Sequence, residues 1–339
     1  DKFYLHSNFG SKHPFSAGKF FMLIAGITFS IEFIGFIIMS AIFYFKYSHT
    51  LTGAMSSSLF HTISAFNNAG FSLYSDSLET FAGDVPLNLL FMILIFLGGI
   101  GFPVISEIIT YRRVKHFSLH AKIVLYTSAL LILSGAVMFF LIEFNNPLSI
   151  GDRPLYAKIF TSLFQSVTAR TAGFNTTSIS ALNPSTLFFL SILMFIGASP
   201  GGTGGGIKTT TFITVAAASL SSIRGRNGVN LFKRRLPDSA IYRALTLTLT
   251  AIVIIIFSTI GLLVFEKCSL KDALFEAISA FGTVGLSTGL TGTLSLPSKI
   301  ILILSMFIGR IGIITLSVAI AIRSSVNKMT YPEDTITIG

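Results

Sequence analysis

The sequence predicts an all-α membrane protein assembled from repeated units, each with two spanning helices and a short pore helix between them. Three observations support this fold class. Only 11% of the 339 residues are charged and 52% are hydrophobic, whereas a soluble domain carries roughly 25% charged residues. Six apolar stretches are long enough to cross a bilayer, and three shorter pieces between them are copies of one another. This composition excludes an ordinary soluble enzyme and a disordered chain.

The six long stretches justify the predicted spans, because a helix needs about 20 apolar residues to cross a bilayer. Apart from Lys299 and Arg323, which bound the last stretch, the only charged residues inside them are Glu32 and Arg310. The stretches are 20–45, 85–106, 123–142, 171–207, 244–265 and 299–323. We therefore predict a multi-pass protein of the cell (inner or plasma) membrane, in contact with the lipid bilayer.

The distribution of Lys and Arg predicts the orientation of the spans. Four regions on one side hold 15 of the 24 basic residues, and the connections on the other side hold 7. The basic regions are 1–19, 111–122, 222–243 and 323–339. They are predicted to be cytoplasmic, so the net charge of +10 reflects topology and we expect no nucleic-acid partner. The lone Cys268 excludes an internal disulfide and a cysteine-cluster metal site.

Three shorter apolar pieces, at about 57–71, 157–174 and 272–286, form an internal repeat. Residues 59–72 and 274–287 align without a gap, and the copy at 163–175 is one residue shorter before its glycine. Each piece has roughly 10–12 helical residues before a run of small residues, which is too short to cross a bilayer. We therefore predict three re-entrant segments that enter from the outer side.

A short helix that ends inside the membrane exposes backbone carbonyls, which is tolerated only where they line a water- or ion-filled path. Glycine lets the backbone turn successive carbonyls toward one axis. Rings of carbonyls can replace the hydration shell of a monovalent cation. The predicted filter residues are Asn68, Ala69, Gly70 and Phe71, then Thr171, Ala172, Gly173 and Phe174, and then Thr283, Val284, Gly285 and Leu286.

The residue types in these filter segments indicate which ion they suit. No acidic residue lies in them, which disfavours a carboxylate ring for divalent ions and favours K⁺ or Na⁺. The predicted site binds K⁺ through backbone carbonyls only, with no catalytic residue and no covalently bound cofactor. Close helix packing is the alternative explanation for small residues. It accounts easily for Gly98 or Gly101, but not for a repeated glycine after a half-length helix.

A glycine-rich run interrupts the fourth long stretch. Each interior Gly costs about 1 kcal/mol and Pro about 3 kcal/mol of helix stability, so we predict two half-helices joined by an intramembrane loop. A nucleotide-binding loop is disfavoured because Ile207 separates Gly206 from Lys208. The loop is either a gate or a passive kink. The residues of this predicted gate are Ser199, Pro200, Gly201, Gly202, Thr203, Gly204, Gly205, Gly206 and Lys208, together with Arg310 of the last long stretch.

These motifs resemble the Trk/Ktr/HKT superfamily of potassium transporters, and within it the ion-translocating subunits of bacterial Ktr systems. The resemblance rests on Phe-Asn-Asn-Ala-Gly-Phe-Ser at 66–72, Arg-Thr-Ala-Gly-Phe-Asn at 170–175, Ala-Phe-Gly-Thr-Val-Gly-Leu-Ser at 280–287 and Phe-Ile-Gly-Arg-Ile-Gly at 307–312. The end of the chain, 331–339, is similar too, so the resemblance covers essentially the whole sequence.

The resemblance implies potassium-channel-like units (M1–P-loop–M2) around a pseudo-fourfold pore, and K⁺ uptake rather than an enzyme activity. It implies that the glycine-rich loop gates the pore below the filter. It also implies a homodimer, seated on a cytosolic ring of regulatory subunits that bind adenine nucleotides. The basic regions 111–122 and 222–243 are candidate docking surfaces for that ring. Na⁺ is a candidate activator.

The family has four units per chain, and we find three, which match its second, third and fourth. We expect these at 19–115, at 116–232 with the broken second span, and at 233–325. A cytoplasmic segment at 1–18 precedes them and a cytoplasmic tail at 326–339 follows. The expectation is that a first unit belongs upstream of residue 1, so that the chain is N-terminally incomplete.

Charged residues within the apolar regions are candidates for special roles. Arg310 lies in mid-span, where an arginine costs roughly 2.5–3.5 kcal/mol on insertion scales. We expect it to project below the filter, contact the gate loop and repel a cation in transit. Glu32 could pair with Arg310 or another basic group, or hydrogen-bond a helix terminus. Arg170 is expected to anchor the second pore helix.

Two other functional classes are alternatives to a channel-like uptake protein. A secondary transporter of another small cation would use paired broken helices in inverted repeats. The repeats here run in the same direction, and only one broken span is expected. An intramembrane enzyme would need paired carboxylates, a metal-ligand set or a nucleophile with a base, and the spans contain none of these.

Overall fold

The structure, a computed structural model, describes residues 17–47, 50–226 and 228–312. These residues form eleven α-helices, three short 3₁₀ turns and one two-stranded hairpin. The predicted tail at 326–339, the second half of the predicted span 299–323 and all but the last two residues of the segment 1–18 lie outside the described residues.

The first predicted unit contains four helices. They are α1 (Ala17–Tyr47), α2 (Leu51–Phe66), α3 (Val85–Ile100) and α4 (Phe102–Val114). The short pore helix α2 begins at Thr50, whose hydroxyl accepts the Gly53 N–H at 3.2 Å. Helix α3 begins at Asp84, whose carboxylate accepts the Leu87 N–H at 3.1 Å. Both are ordinary N-caps that satisfy an otherwise unpaired amide of the first turn.

The second and third predicted units contain seven more helices. The second has α5 (Leu119–Glu143), the pore helix α6 (Leu155–Thr168), α7 (Pro184–Phe195) and α8 (Thr209–Ile223). The third has α9 (Asp238–Phe265), the pore helix α10 (Leu270–Gly282) and α11 (Leu296–Ile311). Between α8 and α9 lies the hairpin of β1 (Asn230–Leu231) and β2 (Arg234–Arg235), paired antiparallel.

Three of the described helices are long and apolar enough to cross a membrane by themselves. They are α5, α9 and the part of α1 from Phe21 to Tyr47. Helices α7 and α8 are shorter apolar helices, as predicted for a span broken at 199–208. Large apolar side chains on the long helices, such as Phe33, Leu133 and Phe257, are exposed. An apolar outer surface is what a bilayer-embedded bundle requires.

The predicted uninterrupted span 85–106 is wrong. Helices α3 and α4 meet at Gly101 with a bend of 101°, and Gly101 has φ +91°. A straight helix would bond the Gly99 carbonyl to the N–H of residue 103, but Pro103 has none. The helix therefore breaks here, and the expectation that only one span is broken is wrong as well. Gly312 ends α11 with nearly the same backbone, φ 88° and ψ 139° against 91° and 140°.

Buried side chains join neighbouring units into one bundle. Between the first and second units, the Phe91 and Phe174 rings meet edge to face at 5.1 Å between centroids. A second core joins the second and third units through Leu131, Phe139, Phe275, Val284 and Leu286. Since lipid tails are as apolar as these side chains, close packing rather than removal from water stabilises the contacts. The pore helices and the segments that follow them are thereby held at the centre.

Candidate functional site

The three predicted filter segments lie side by side, with the middle one between the others. A Cβ atom placed on Gly173 would lie 3.2 Å from the Gly70 Cα and 3.4 Å from the Gly285 Cα. Gly173 is buried, whereas Gly70 is partly exposed and Gly285 is exposed. The structure thus brings together residues that are 103 and 112 positions apart in the sequence.

Each filter segment has the same unusual backbone. Two positions in each copy have positive φ, and the residue between them does not. The angles are 50° at Asn68 and 73° at Gly70, 74° at Thr171 and 85° at Gly173, and 51° at Thr283 and 92° at Gly285. Positive φ is uncommon outside glycine and marks strained, often functional backbone. The three filter segments therefore share one alternation of positive and negative φ.

The remaining filter residues differ in exposure between the copies. Ala172 and Phe174 in the middle segment are buried, and so are Val284 and Leu286 in the third. Ala69 and Phe71 in the first segment are exposed, Phe71 by 69%. The middle segment is therefore enclosed by its neighbours, and the first presents its outer end to the surface of the described bundle.

One hydroxyl from each pore helix holds the filter segment that follows it. Ser64, Thr168 and Ser279 occupy equivalent positions in the three pore helices. They donate to the carbonyls of Phe71 at 2.8 Å, Phe174 at 2.5 Å and Leu286 at 2.6 Å. The role of these three residues was not predicted from the sequence. The available signal was a hydroxyl at the same place in all three copies.

The glycine-rich loop closes on itself between α7 and α8. The Gly197 N–H donates to the Ile207 carbonyl at 2.8 Å, and the Ala198 N–H donates to the Gly205 carbonyl at 3.2 Å. A Cβ on Gly197 would lie 1.9 Å from the Gly205 carbonyl oxygen, so only glycine allows the two strands of the loop to approach this closely. The loop is consequently a compact body and not an extended linker.

This loop contacts the second and third filter segments at Thr171 and Thr283 and the end of the first pore helix at Phe66. The Thr203 hydroxyl donates to the carbonyl of Phe66, the last residue of α2, at 3.2 Å. The Gly205 N–H donates to the Thr283 hydroxyl at 3.1 Å. A Cβ on Gly204 would lie 1.9 Å from the Thr171 hydroxyl oxygen. The loop therefore lies across the inner ends of the three segments.

The loop also pairs with the broken end of α3. The Ser199 N–H donates to the Gly99 carbonyl at 2.9 Å, and the Thr203 N–H donates to the Gly98 carbonyl at 3.0 Å. In return, the Phe102 N–H donates to the Gly201 carbonyl at 3.1 Å. The break leaves the α3 carbonyls without helical partners, and the loop supplies them.

Pro200, Gly202 and Gly206 complete the loop against its neighbours. A Cβ on Gly101 would lie 2.4 Å from the Pro200 carbonyl oxygen, and one on Gly202 would lie 2.7 Å from the Gly99 carbonyl oxygen. On the other side, the Gly206 N–H donates to the Gly309 carbonyl of α11 at 3.2 Å. The loop thus lies between α3 and α11, which follow the pore helices of the first and third units, and it bonds to both.

Two cationic side chains flank the loop. The Lys208 ammonium donates to the Gly204 carbonyl at 2.7 Å and so ties the loop to the start of α8. Arg310 follows Gly309 on α11, close enough for its charge to repel that of Lys208. Within the described part of the chain, the Arg310 side chain is exposed and makes no hydrogen bond or salt bridge. The hydrogen bond between α11 and the loop is made by Gly309, and the expected contact of the Arg310 side chain with the loop stays a prediction.

Glu32 takes one of the two roles foreseen for it. The Asn67 side chain donates to the Glu32 carboxylate at 2.7 Å and to the Ile63 carbonyl at 3.0 Å. Asn67 is the C-cap of α2, so Glu32 bonds a helix terminus and does not pair with Arg310. Arg170 is buried, and its Nε has no hydrogen-bond partner among the described residues. It lies two residues after the end of α6, where the negative end of the helix dipole favours a cation.

A partly exposed turn with two acidic residues, Asp76 and Glu79, abuts the outer end of the middle filter segment. The Asn175 side chain donates to the Glu79 carboxylate at 2.7 Å, and the Leu78 N–H donates to the Asn175 carbonyl at 3.0 Å. Burial and the negative charge of Asp76 raise the pKa of Glu79. Hydrogen bonds from Thr80 lower the pKa of Asp76. Two carboxylates therefore lie near the outer end of the filter, and the pKa of one of them, Glu79, is raised.

Comparison with known proteins identifies relatives over most of the chain. Residues 16–330 match the family described as "TrkH: Cation transport protein". The chain is 38% identical over 310 residues to Ktr system potassium uptake protein B of Bacillus subtilis strain 168, covering 91% of this chain and 69% of that protein. It is 40% identical over 283 residues to the protein of the same name from Vibrio alginolyticus, covering 83% of this chain and 62% of that one.

A solved structure has the same fold. The potassium transporter TrkH from Vibrio parahaemolyticus superposes with a TM-score of 0.72 at 18% identity, covering 94% of this chain and 68% of that one. At this identity the likeness shows the fold alone, and it agrees with the predicted all-α membrane architecture. The chain spans about two thirds of the length of the proteins that it resembles.

Proposed function

Because the chain belongs to the TrkH family of cation transport proteins, we propose that it forms the ion path of a potassium uptake protein. Its relatives named as Ktr system potassium uptake proteins support K⁺ as the transported ion. The observation that carries the proposal is the meeting of three equivalent segments at Gly173, each with the same two positive φ angles.

In this proposal K⁺ is bound by the backbone carbonyls of the three filter segments and of a fourth in a pseudo-fourfold ring. The C-terminal, negative ends of pore helices α2, α6 and α10 lead into the three filter segments and favour a cation there. No side-chain carboxylate is needed, because carbonyl oxygens replace the water that a monovalent ion loses.

The glycine-rich loop is the proposed gate. Its hydrogen bonds to Phe66 and Thr283 hold it across the inner ends of the filter segments. A permeating ion would meet this loop and the charges of Lys208 and Arg310 directly after leaving the filter. Displacement of the loop removes the obstruction, and the two cationic groups raise the barrier when it is in place.

Assembly and regulation are part of the same proposal. We expect a homodimer in the lipid bilayer, docked on a cytosolic ring of nucleotide-binding regulatory subunits. The exposed Arg234 and Arg235 of the hairpin, together with the other basic residues of 222–243, offer that ring a cationic surface. Na⁺ is the proposed activator, tested by measuring K⁺ uptake with and without it.

The test is Rb⁺ or K⁺ uptake by the full-length protein, with its regulatory partner, in a bacterium that lacks its own K⁺ uptake systems. Gly173→Ser places a Cβ 2.5 Å from the Val284 carbonyl oxygen at φ +85°. We expect at least a tenfold loss of preference for K⁺ over Na⁺. Gly83→Ser is the matched control, because a Cβ on Gly83 meets nothing within 4 Å.

The alternative is a broken-helix secondary transporter of another small cation. The observation that favours it is the second break, at Gly101, because such transporters use paired broken helices. If the protein reaches the membrane with its partner and moves neither K⁺ nor Rb⁺, the carbonyl filter is wrong and this alternative replaces it.

A further inference from the structure

We propose that one hydroxyl in each pore helix, on Ser64, Thr168 and Ser279, sets ion selectivity by fixing the outer end of its filter segment. The inference rests on the proposed function and names positioning residues for it. These side chains lie behind the filter, and none of them is a proposed ion ligand.

The three residues hold their segments at the same two points. The backbone carbonyls of Ser64, Thr168 and Ser279 accept the N–H of the residue before each filter glycine, at 2.8, 2.9 and 2.8 Å. Their hydroxyls donate to the carbonyl of the residue after that glycine, at 2.8, 2.5 and 2.6 Å. Each filter glycine is therefore spanned by two bonds to a single pore-helix residue.

The repeat shows that this arrangement does not depend on the local sequence. The middle copy is one residue shorter, so Thr168 reaches six positions along the chain where Ser64 and Ser279 reach seven. The bond is nevertheless formed in all three copies. All three side chains are buried, with exposures of 5%, 0% and 3%, so water does not compete for the bond.

A neighbouring contact is not shared in this way. His61 and Glu276, equivalent in the repeat, accept the N–H groups of Leu73 and Thr288 at 3.3 and 3.0 Å. The third equivalent residue, Gln165, is buried and neither of its amide atoms has a hydrogen-bond partner in the described structure. The hydroxyl bond is therefore the side-chain contact that all three filter segments have in common.

The physical consequence concerns which carbonyls can face an ion. The carbonyl that is held from behind belongs to the last residue of each filter segment, so this bond fixes the outer end of the row of carbonyls. It also prevents the glycine, which has the largest backbone freedom, from changing conformation. Selection between K⁺ and Na⁺ depends on the spacing and number of the coordinating carbonyls. Loss of the bond should relax that selection before it abolishes conduction.

The test uses Thr168, because its segment is enclosed by the other two. Thr168→Val keeps the shape and removes the hydroxyl, and Thr168→Ser restores it. Ser162→Ala is the matched control, because the Ser162 hydroxyl on the same helix bonds only within the helix, to the Lys158 carbonyl at 2.7 Å. The readout is inhibition of Rb⁺ uptake by external K⁺ and by external Na⁺, alongside the amount of protein in the membrane.

We expect Thr168→Val to lose at least fivefold of the K⁺ over Na⁺ preference while Rb⁺ still enters, with Thr168→Ser and Ser162→Ala as in wild type. Ser64→Ala and Ser279→Ala should give smaller losses in the same direction, and they serve as the test if Thr168→Val does not reach the membrane. Wild-type preference in the membrane-inserted variants overturns the inference. Absence of Rb⁺ uptake by the wild type would instead overturn the proposed function.

Discussion

Glu79 offers a test of electrostatics at a single residue. Burial and Asp76 raise the pKa of Glu79 above its ordinary 4.5. As the external pH falls, Glu79 is therefore protonated at a higher pH than an ordinary glutamate. The outer end of the filter then loses a negative charge that concentrates cations. We expect the initial Rb⁺ uptake rate to fall severalfold as the pH passes downward through this raised pKa.

Two variants separate Glu79 from other groups that titrate. Glu79→Gln should remove this part of the pH profile. Asp76→Asn removes the charge that raises the Glu79 pKa, so the midpoint of the profile should move to lower pH. A profile that keeps its wild-type shape in Glu79→Gln would assign the pH dependence to another group.

Single residues also show where sequence reasoning succeeds and fails. Gly70, Gly173 and Gly285 could be found because each recurs after a half-length helix, and the backbone needs positive φ there. The partner of Glu32 could not be found, because Asn67 lies 35 residues away and nothing in the sequence links the two. The role of Ser64, Thr168 and Ser279 depends on the fold of the segment beyond them, which the repeat alone does not specify.

At the scale of helices, the break at Gly101 is expected to control the loop. A Cβ on Gly101 would lie 2.4 Å from the Pro200 carbonyl oxygen, and φ is +91°. Gly101→Ala should therefore push the loop from its position and raise K⁺ uptake severalfold when the regulatory partner is inactive. Gly26→Ala in α1 meets nothing within 4 Å and should leave basal uptake unchanged. Equal basal uptake in the two variants would contradict a closing role for the loop.

Lys208 and Arg310, the two cationic residues beside the glycine-rich loop, lead to a second prediction about that loop. Lys208→Met loses the bond to the Gly204 carbonyl, and Arg310→Ala removes the neighbouring charge. Each should raise basal uptake severalfold, and the double variant should raise it further, measured as K⁺ influx without regulatory activation. Lys299→Ala, an exposed lysine at the start of the same helix as Arg310, is the control. If Arg310→Ala left both uptake and its regulation unchanged, the barrier role would be wrong.

The helices show why one break could be predicted and the other was missed. Five glycines and a proline within 200–206 cannot remain helical, so the middle span had to break. The break at Gly101 depends on a single glycine followed two residues later by Pro103 in an otherwise apolar run. Apolar helices tolerate such pairs when neighbouring groups bond the freed carbonyls. Here Ser199 and Thr203 do so, which only the tertiary structure reveals.

Across the whole bundle, Asp84 fastens the first helix to the third. Its carboxylate accepts from Lys46 at 2.8 Å and from the Tyr47 hydroxyl at 2.5 Å, and it caps α3. Burial opposes ionisation, but the bonds from Lys46, Tyr47 and Leu87 outweigh it and lower the pKa of Asp84.

Asp84→Ala is expected to destabilise the purified protein by about 1–3 kcal/mol, because buried donors lose their acceptor. Asp84→Asn should cost less. Since the folded-state pKa lies below the unfolded value of 3.8, this stabilisation is present above that value and is lost as the pH falls through the folded pKa. Thermal unfolding in detergent at several pH values measures it. A variant as stable as the wild type at pH 7 would contradict this role.

The architecture of the whole molecule could be predicted from the sequence because the sequence contains three copies of one repeat. Length, hydropathy and the copied segments together predict an all-α membrane bundle, and the family match and superposition agree with it. The placement of the units relative to one another could not be predicted from the sequence. It depends on contacts such as Phe91 against Phe174, whose partners are apolar residues indistinguishable from many others in the chain.

The bonds from Thr203 to Phe66 and from Gly205 to Thr283 have a consequence in thermodynamic linkage. They make the loop and the filter one coupled system, and coupling free energies are reciprocal. If displacement of the loop lowers the affinity of the filter for its ion by some factor, then emptying the filter must shift the equilibrium of the loop toward displacement by the same factor. A low external concentration of the ion would then favour displacement of the loop on the cytoplasmic side, without any separate sensor.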